Sequence, residues 1–452
     1  MQKIRIGLLV AALFTAYTVI AVAKHLRVRT TGFDLGIFEQ AVRGYAGGHA
    51  PLAPLKGPGV NLLGDHFHPI LALLGPIYHV FPSPYTLLVA QAALFALSAV
   101  PVTRLAVLRL GTRGGLAIGA AYGLSWGIQQ AAGFDFHEVC FAVPLLAFSL
   151  ECLVHRRWGA AVAWAAPLVL VKEDLPLTVA AIGGYLILRG RRRFGLATVA
   201  GAVAAGLLIV VVVVPAFNTG GGYAYTSGGA LLSGIPLKLL TLALLLLPTG
   251  FLAVRSPLLL LALPTLAWRF WADNPHYWGT RYHYSAVLMP IVFVALLDAP
   301  LALLDRFRRR LPYAALAFAV LLSAVLPLNA LADPATWRRD PAATAVRQAL
   351  RRIPDDARVA ASNRLAPQLT ARCEVYLFPF YPDATVRPEW VVVSDPPDTG
   401  LSPADRSRAA LAALPGLGYR PVAAAGGVTL FTNGGPGRTG PVSARSAGGR
   451  PG

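Results

Sequence analysis

Long apolar runs separated by short polar gaps, with arginines crowded into alternate gaps, constrain this chain more than any other feature. Runs near 6–23, 84–108, 114–132, 139–154, 158–171, 175–189, 195–216, 236–254, 257–271, 284–304 and 311–330 predict about eleven transmembrane helices. Counted from a cytoplasmic N-terminus, the basic gaps (Arg104/Arg109/Arg113, 155–157, 189–193, Arg255 and 305–310) all fall on one side. Cations collect on the cytoplasmic side of a membrane. The remaining gaps, 24–83, 133–138, 171–174, 217–234, 272–283 and everything after about 331, are therefore expected to face outward. They hold Asp34, Glu39, Asp65, Asp135, Glu138, Glu173, Asp174 and Asp273. Acids at membrane ends are costly without a role, so their distribution points to binding or chemistry on the outer face.

Composition agrees with a membrane protein. The 452 residues are 56% hydrophobic and 13% charged, where soluble domains carry roughly a quarter charged residues. The net charge of +19 resides in short clusters between apolar runs, the pattern of topology signals and lipid contacts. Membrane lipid is thus an expected partner and nucleic acid is not. Cys140, Cys152 and Cys373 have no metal or redox spacing. The run from Ile6 to Ala23 suits an uncleaved signal-anchor. One feature runs against the expected topology: Lys24, Arg27 and Arg29 follow this first span on the side read as outer.

The composition divides the chain into a transmembrane part, 1–332, with a large first outer loop, 24–83, then a polar part, 333–433, and a tail, 434–452. In the first loop, residues 32–39 are expected to form a helix on the membrane surface, and 66–75 an interfacial or re-entrant piece. After 333 a helix from Asp340 to Ile353 and strands at 358–361, 374–378, 390–394, 419–424 and 428–432 predict a small α/β domain. Further helical stretches are expected near 363–370 and 403–413. The Gly/Pro/Ser/Arg-rich tail is expected to be disordered.

Five constellations can carry chemistry. Asp34, between Phe33 and Leu35, is either a cap or a general base whose pKa neighbouring rings would raise. Asp65, His66 and His68 suit a divalent metal, a phosphate or sugar contact, or a hydrogen-bonded turn, since metal sites need three or four converging ligands. Asp135, His137 and Glu138 crowd the start of a span; an N-cap explains Asp135 alone. Lys172, Glu173 and Asp174 form either an internal ion pair or a point charge for phosphate oriented by acids. Between Trp271 and Tyr284, His276, Arg281 and His283 interleave with aromatic rings, a mixture that suits sugar faces and phosphates. Residues 218–229, with Tyr223 and Tyr225 among glycines, read as a mobile loop over the site. The chain has no Walker A or C-x-x-C motif, which argues against ATP-driven transport by this chain alone.

Four ordered segments carry a resemblance: Gly32-Phe-Asp-Leu-Gly-Ile-Phe-Glu-Gln40, Asn61-Leu-Leu-Gly-Asp-His-Phe-His-Pro69, Phe134-Asp-Phe-His-Glu138 and Lys172-Glu-Asp174. With Val359-Ala-Ala-Ser-Asn363 and Arg372-Cys-Glu-Val-Tyr376, they make the chain resemble the predicted multi-pass membrane proteins of domain-of-unknown-function family 2079. The layout is similar to GT-C glycosyltransferases, polytopic enzymes that carry a catalytic Asp in a large first outer loop and transfer sugars from polyprenyl-phosphate donors. The resemblance implies that Asp34 matches that acid and that Asp135 or Glu138 is a second one. It further implies a plasma-membrane enzyme in which Lys172, Arg281 and His283 hold a lipid-linked phosphate. Two other functions fit the same residues: a transporter or flippase for a lipid-linked or polar solute, and a non-catalytic assembly protein. No motif encodes the donor sugar, the acceptor or the oligomeric state.

Overall fold

The computed structural model describes residues 1–218, 220, 228–398 and 401–434. Each expected apolar run contains helix. Among the described residues three helical stretches are long and apolar enough to cross a bilayer: Gln2–Leu26, Pro84–Gly123 and Arg192–Phe217. The second is a hairpin. Gly111 at its centre has φ 76°, a left-handed conformation that glycine adopts without strain. The arms then close so tightly that a Cβ on Gly115 would stand 2.4 Å from the Val107 backbone. The runs expected at 84–108 and 114–132 are these two arms, the second continuing past a break into Trp126–Phe134.

The run expected at 284–304 is broken: Leu288–Asp298 and Leu301–Phe307 are bent 96° apart. Several other runs are shorter helices, among them Val139–Val154, Leu175–Leu188 and Leu311–Ser323. Prolines at their starts or interiors account for part of this, because proline removes a backbone donor and crowds the preceding turn.

At one end of the bundle the basic gaps meet. Arg104 grips Glu151 through Nε at 3.0 Å and Nη2 at 2.5 Å. Arg189 lies 3.8 Å from Asp298, which also accepts the Ser256 hydroxyl at 2.7 Å. Arg308 flanks the turn at Gly111.

The opposite end holds the first loop and the polar C-terminal part. Five strands, β1 (Arg358–Ala361), β2 (Glu374–Leu377), β3 (Trp390–Ser394), β4 (Arg420–Ala425) and β5 (Val428–Thr432), form one sheet in the order β2-β1-β3-β5-β4. β1 pairs in parallel with β2 and β3, while β5 is antiparallel to both β3 and β4. Strand alternation divides its side chains between two faces. Val359, Ala361, Val375, Leu377 and Val392 join the same apolar core as the bundle and the first loop. Ala360, Phe378, Val391 and Val393 pack with Leu414 and Tyr419 in a separate, smaller cluster. The sheet is therefore welded to the membrane part through one face.

Candidate active site

The segment expected to be a surface helix starts differently. Gly32–Gly36 is a single wide turn whose backbone is non-helical at Phe33 and Asp34, and regular helix begins only at Ile37. The C-terminal part fixes this turn. The Gly32 amide donates to the Asn363 carbonyl at 2.7 Å, and the Phe33 amide to Asn363 Oδ1 at 2.9 Å. Glycine at 32 is a matter of space: a Cβ there would lie 2.8 Å from that of Ala366. Behind the turn, Gln40 donates to the Val375 carbonyl at 2.9 Å and Arg43 to that of Cys373 at 2.9 Å. Buried Glu39 accepts the hydroxyls of Thr370 and Tyr78.

So placed, Asp34 borders a cavity of about 650 Å³ that four of the acidic gaps share. Asp65, His66, His68, His137, Glu138, Lys172, Glu173, Asp174 and His283 also line it, with Phe33, Trp268, Trp271, Tyr277 and Tyr284. A continuous polar chain runs through it. Asp34 Oδ1 meets His137 Nε2 at 2.9 Å, His137 Nδ1 meets Glu138 Oε2 at 3.3 Å, and Glu138 Oε1 meets Lys172 Nζ at 3.2 Å. A second set lies beside it: His66 Nδ1 is 2.6 Å from Glu173 Oε1, the Phe67 amide donates to Glu173 Oε2 at 3.0 Å, and Lys56 pairs with Asp65.

Electrostatics makes the chain an alternation of charges. Burial works against a protonated His137, but the Asp34 and Glu138 carboxylates outweigh it and raise the ring to about 9. Burial likewise opposes ionised Glu138, yet Lys172 and His137 hold it well below the usual carboxylate range. Glu173 is carried down to about 2 because His66 and Lys172 overcome its burial. Asp174 goes the other way, to about 6, since burial prevails over Lys172 and over the Trp268 indole donating at 2.9 Å.

His283 is stacked on His137 with ring centroids 3.5 Å apart. It is 4% exposed, and neither of its ring nitrogens has a partner among the described residues. Burial, and then the positive charges of His137 and Lys172, keep it neutral by pushing it well below the usual histidine range. A neutral, buried ring with two unmet nitrogens is a ready contact for a ligand hydroxyl or phosphate.

Three expected site residues lie elsewhere. Asp135 accepts the Thr31 amide at 3.0 Å and hydroxyl at 2.7 Å and sits 3.0 Å from Lys24, so it steadies the approach to Asp34 without lining the cavity. The same pair accounts for Lys24, whose charge counted against the topology. His276 and Arg281 are exposed on the far side of the aromatic segment, outside the lining. Among the described residues no three His, Cys, Asp or Glu side chains are placed to share a metal ion. Of the set considered for a divalent metal from sequence, His66 is turned to Glu173 and Asp65 to Lys56, so Asp65, His66 and His68 do not converge on one ion. Of the expected loop over the site, residues 219 and 221–227, including Tyr223 and Tyr225, lie outside the described residues, as does the tail after Gly434.

Residues not singled out from sequence do the positioning. Gln91, inside an apolar run, accepts the His137 amide at 2.9 Å and donates to the Asp135 carbonyl at 2.5 Å. Arg269 is fully buried and holds the aromatic segment through the carbonyls of Tyr277 at 2.8 Å and Gly279 at 2.9 Å and the Ser285 hydroxyl at 3.1 Å. A polar residue in the middle of an apolar run is itself the signal that could have found both.

Two solved structures share the fold. The crystal structure of ArnT from Cupriavidus metallidurans bound to undecaprenyl phosphate superposes with a TM-score of 0.60 at 16% identity, covering 94% of this chain and 98% of ArnT. The apo form gives 0.58 at 15% identity, with 94% and 97% covered. The GT-C-like architecture expected from the sequence thus stands at the level of fold. No curated protein matches the sequence. The profile of a family described as predicted membrane proteins, DUF2079, matches residues 24–430, and the chain belongs to that family.

Proposed function

We propose that this protein transfers a sugar from a polyprenyl-phosphate donor to an acceptor hydroxyl, on the outer face of the plasma membrane. The observation that carries the reading is the relay from Asp34 through His137 and Glu138 to Lys172, along the wall of a large cavity. One Asp34 oxygen is engaged by His137, and the other has no hydrogen bond among the described residues. That second oxygen takes the proton of the acceptor hydroxyl as the acceptor oxygen bonds to the anomeric carbon. The bond from that carbon to the phosphate oxygen breaks, and polyprenyl phosphate departs. His137, protonated at neutral pH, aims the Asp34 carboxylate through its ring nitrogen at 2.9 Å. The charge developing on the departing phosphate needs fixed cations, and Lys172 and Lys56 are the cavity's two lysines.

The lipid chain has a place to run. Leu177 and Trp271 line the cavity and are also 51% and 55% exposed on the outside of the bundle, so its wall reaches the lipid-facing surface. Undecaprenyl phosphate bound to ArnT, in the same fold, supports a polyprenyl phosphate as ligand here. Transport of the same ligand receives less support, because the charged lining of the cavity gathers at one end of the bundle. An outward cavity would put the C-terminal sheet, which holds the Asp34 turn, on the extracytoplasmic side as well.

The test is to incubate the purified protein with a panel of polyprenyl-phosphate sugars and follow release of polyprenyl phosphate. Turnover by the wild type that Asp34→Asn abolishes is expected. Equal behaviour of the two proteins on every donor would remove the catalytic reading.

A further inference from the structure

The basic end of the bundle holds a second cavity, remote from the relay. It measures about 610 Å³ and lies where Leu301–Phe307 turns 96° away from Leu288–Asp298. Arg255 and Arg306 both line it, together with Phe251, Leu252, Val254 and Leu303. Both arginines are exposed, and neither has a carboxylate partner among the described residues. The nearest acid before the bend, Asp298, is already engaged by Arg189 and the Ser256 hydroxyl. Asp305, on the turned helix, is exposed and does not line the cavity.

The geometry points to a binding site for the headgroup of an anionic glycerophospholipid, held by its phosphate on Arg255 and Arg306. Three observations select that occupant. The two guanidinium groups offer planar pairs of donors to phosphate oxygens, and no internal acid competes for them. The apolar residues of the lining include Phe251 and Val254, 47% and 53% exposed at the bundle surface, where acyl chains would continue from the headgroup. On the turned helix Leu304 is buried while Leu301 and Phe307 are exposed beside Arg306, Arg308, Arg309 and Arg310, which suits a helix lying at the headgroup level. A soluble phosphate would use the arginines and leave the apolar wall uncovered. The site does not depend on the proposed transferase reaction and lies at the other end of the molecule.

The full chain, purified in a zwitterionic detergent, is tested by native mass spectrometry with added phosphatidylglycerol, phosphatidylcholine or inorganic phosphate. Phosphatidylglycerol is expected to be retained roughly thirtyfold better than phosphatidylcholine, as two arginines near an anionic headgroup would give. Arg255→Ala with Arg306→Ala is expected to remove that preference, whereas Arg191→Ala with Arg192→Ala, exposed and outside the cavity, keeps it. Should the first pair fail to fold, Arg255→Lys with Arg306→Lys keeps the charge but loses the planar fork, and is expected to retain only part of the preference. Equal retention of the two lipids, equal binding of inorganic phosphate, or equal losses from the two alanine pairs would each overturn the proposal.

Discussion

Both ends of the bundle carry ionic groups, but they are built on opposite plans. At the basic end the paired arginines reach solvent: Arg104 is 45% exposed against Glu151 at 6%, Arg189 is 38% exposed against Asp298 at 14%, and the remaining arginines there have no carboxylate partner among the described residues. At the acidic end Glu138 is 2% exposed, Lys172 13% and His137 11%, and each touches the next. Ion pairs in solvent are nearly neutral for stability, whereas burying charges is expensive unless every one is compensated. Topology alone explains the first arrangement. The second needs another reason, and buried, mutually perturbing titratable groups around a cavity are the usual mark of chemistry.

The difference can be broken most directly at Asp34. Asp34→Asn keeps the shape and removes the base, so turnover is expected to fall by about 10²–10⁴-fold with little change in melting temperature. An equally large loss of stability would mean that Asp34 belongs to the scaffold. Lys172→Met should do the reverse and lower stability by about 3–5 kcal/mol, because it strands Glu138 in a buried site. The matching change at the basic end, Arg189→Met, is expected to cost at most about 1 kcal/mol. Denaturation of the two variants side by side measures the contrast, and equal losses would erase it.

Gly32→Ala probes how the acidic end is assembled. Its Cβ would meet that of Ala366 at 2.8 Å, so overpacking should cost about 1–3 kcal/mol and displace Asp34 from His137. Reduced turnover that Asp34→Asn does not reduce further would confirm that the turn acts through Asp34.

This docking also marks the limit of what the sequence says. Apolar runs and strand alternation are local, and the expected strands at 358–361, 390–394 and 428–432 coincide with β1, β3 and β5. The convergence of Asp34, His137, Glu138 and Lys172 was legible because each sits at the end of an apolar run on the same side. The grip of Asn363 on residues 32 and 33 was not, since it joins positions 330 residues apart and uses backbone amides that leave no pattern. Residues 32–39 read as a helix from their apolar spacing, but the tertiary bonds to Asn363 override that preference at Phe33 and Asp34. Arg281 and His276 had the right chemistry, but in an irregular segment the direction of a side chain has no period from which to infer it. Lys24 looked like a topology signal because its partner Asp135 is more than a hundred residues away.

The smallest expected effect is a pH dependence, and it discriminates between the ends without any substrate. A protonated His137 is favoured in the folded state up to about 9, whereas an unfolded histidine releases its proton near 6.5. The stabilisation is thus fully present below about 6.5 and is lost as pH rises through about 9. Buried acids slope the same way, Asp135 among them, because burial raises it too. Burial raises Asp174 to about 6 and Glu39 to about 7, the latter against its bonds from Thr370 and Tyr78, so both are essentially ionised above that point. Between about 7 and about 9 the fall in melting temperature should therefore be dominated by His137. His137→Gln is expected to flatten it, while Arg189→Met, at the other end of the bundle, should leave the slope of the wild type. A slope that survives His137→Gln would mean that the proton is held elsewhere, and the relay would lose its central charge.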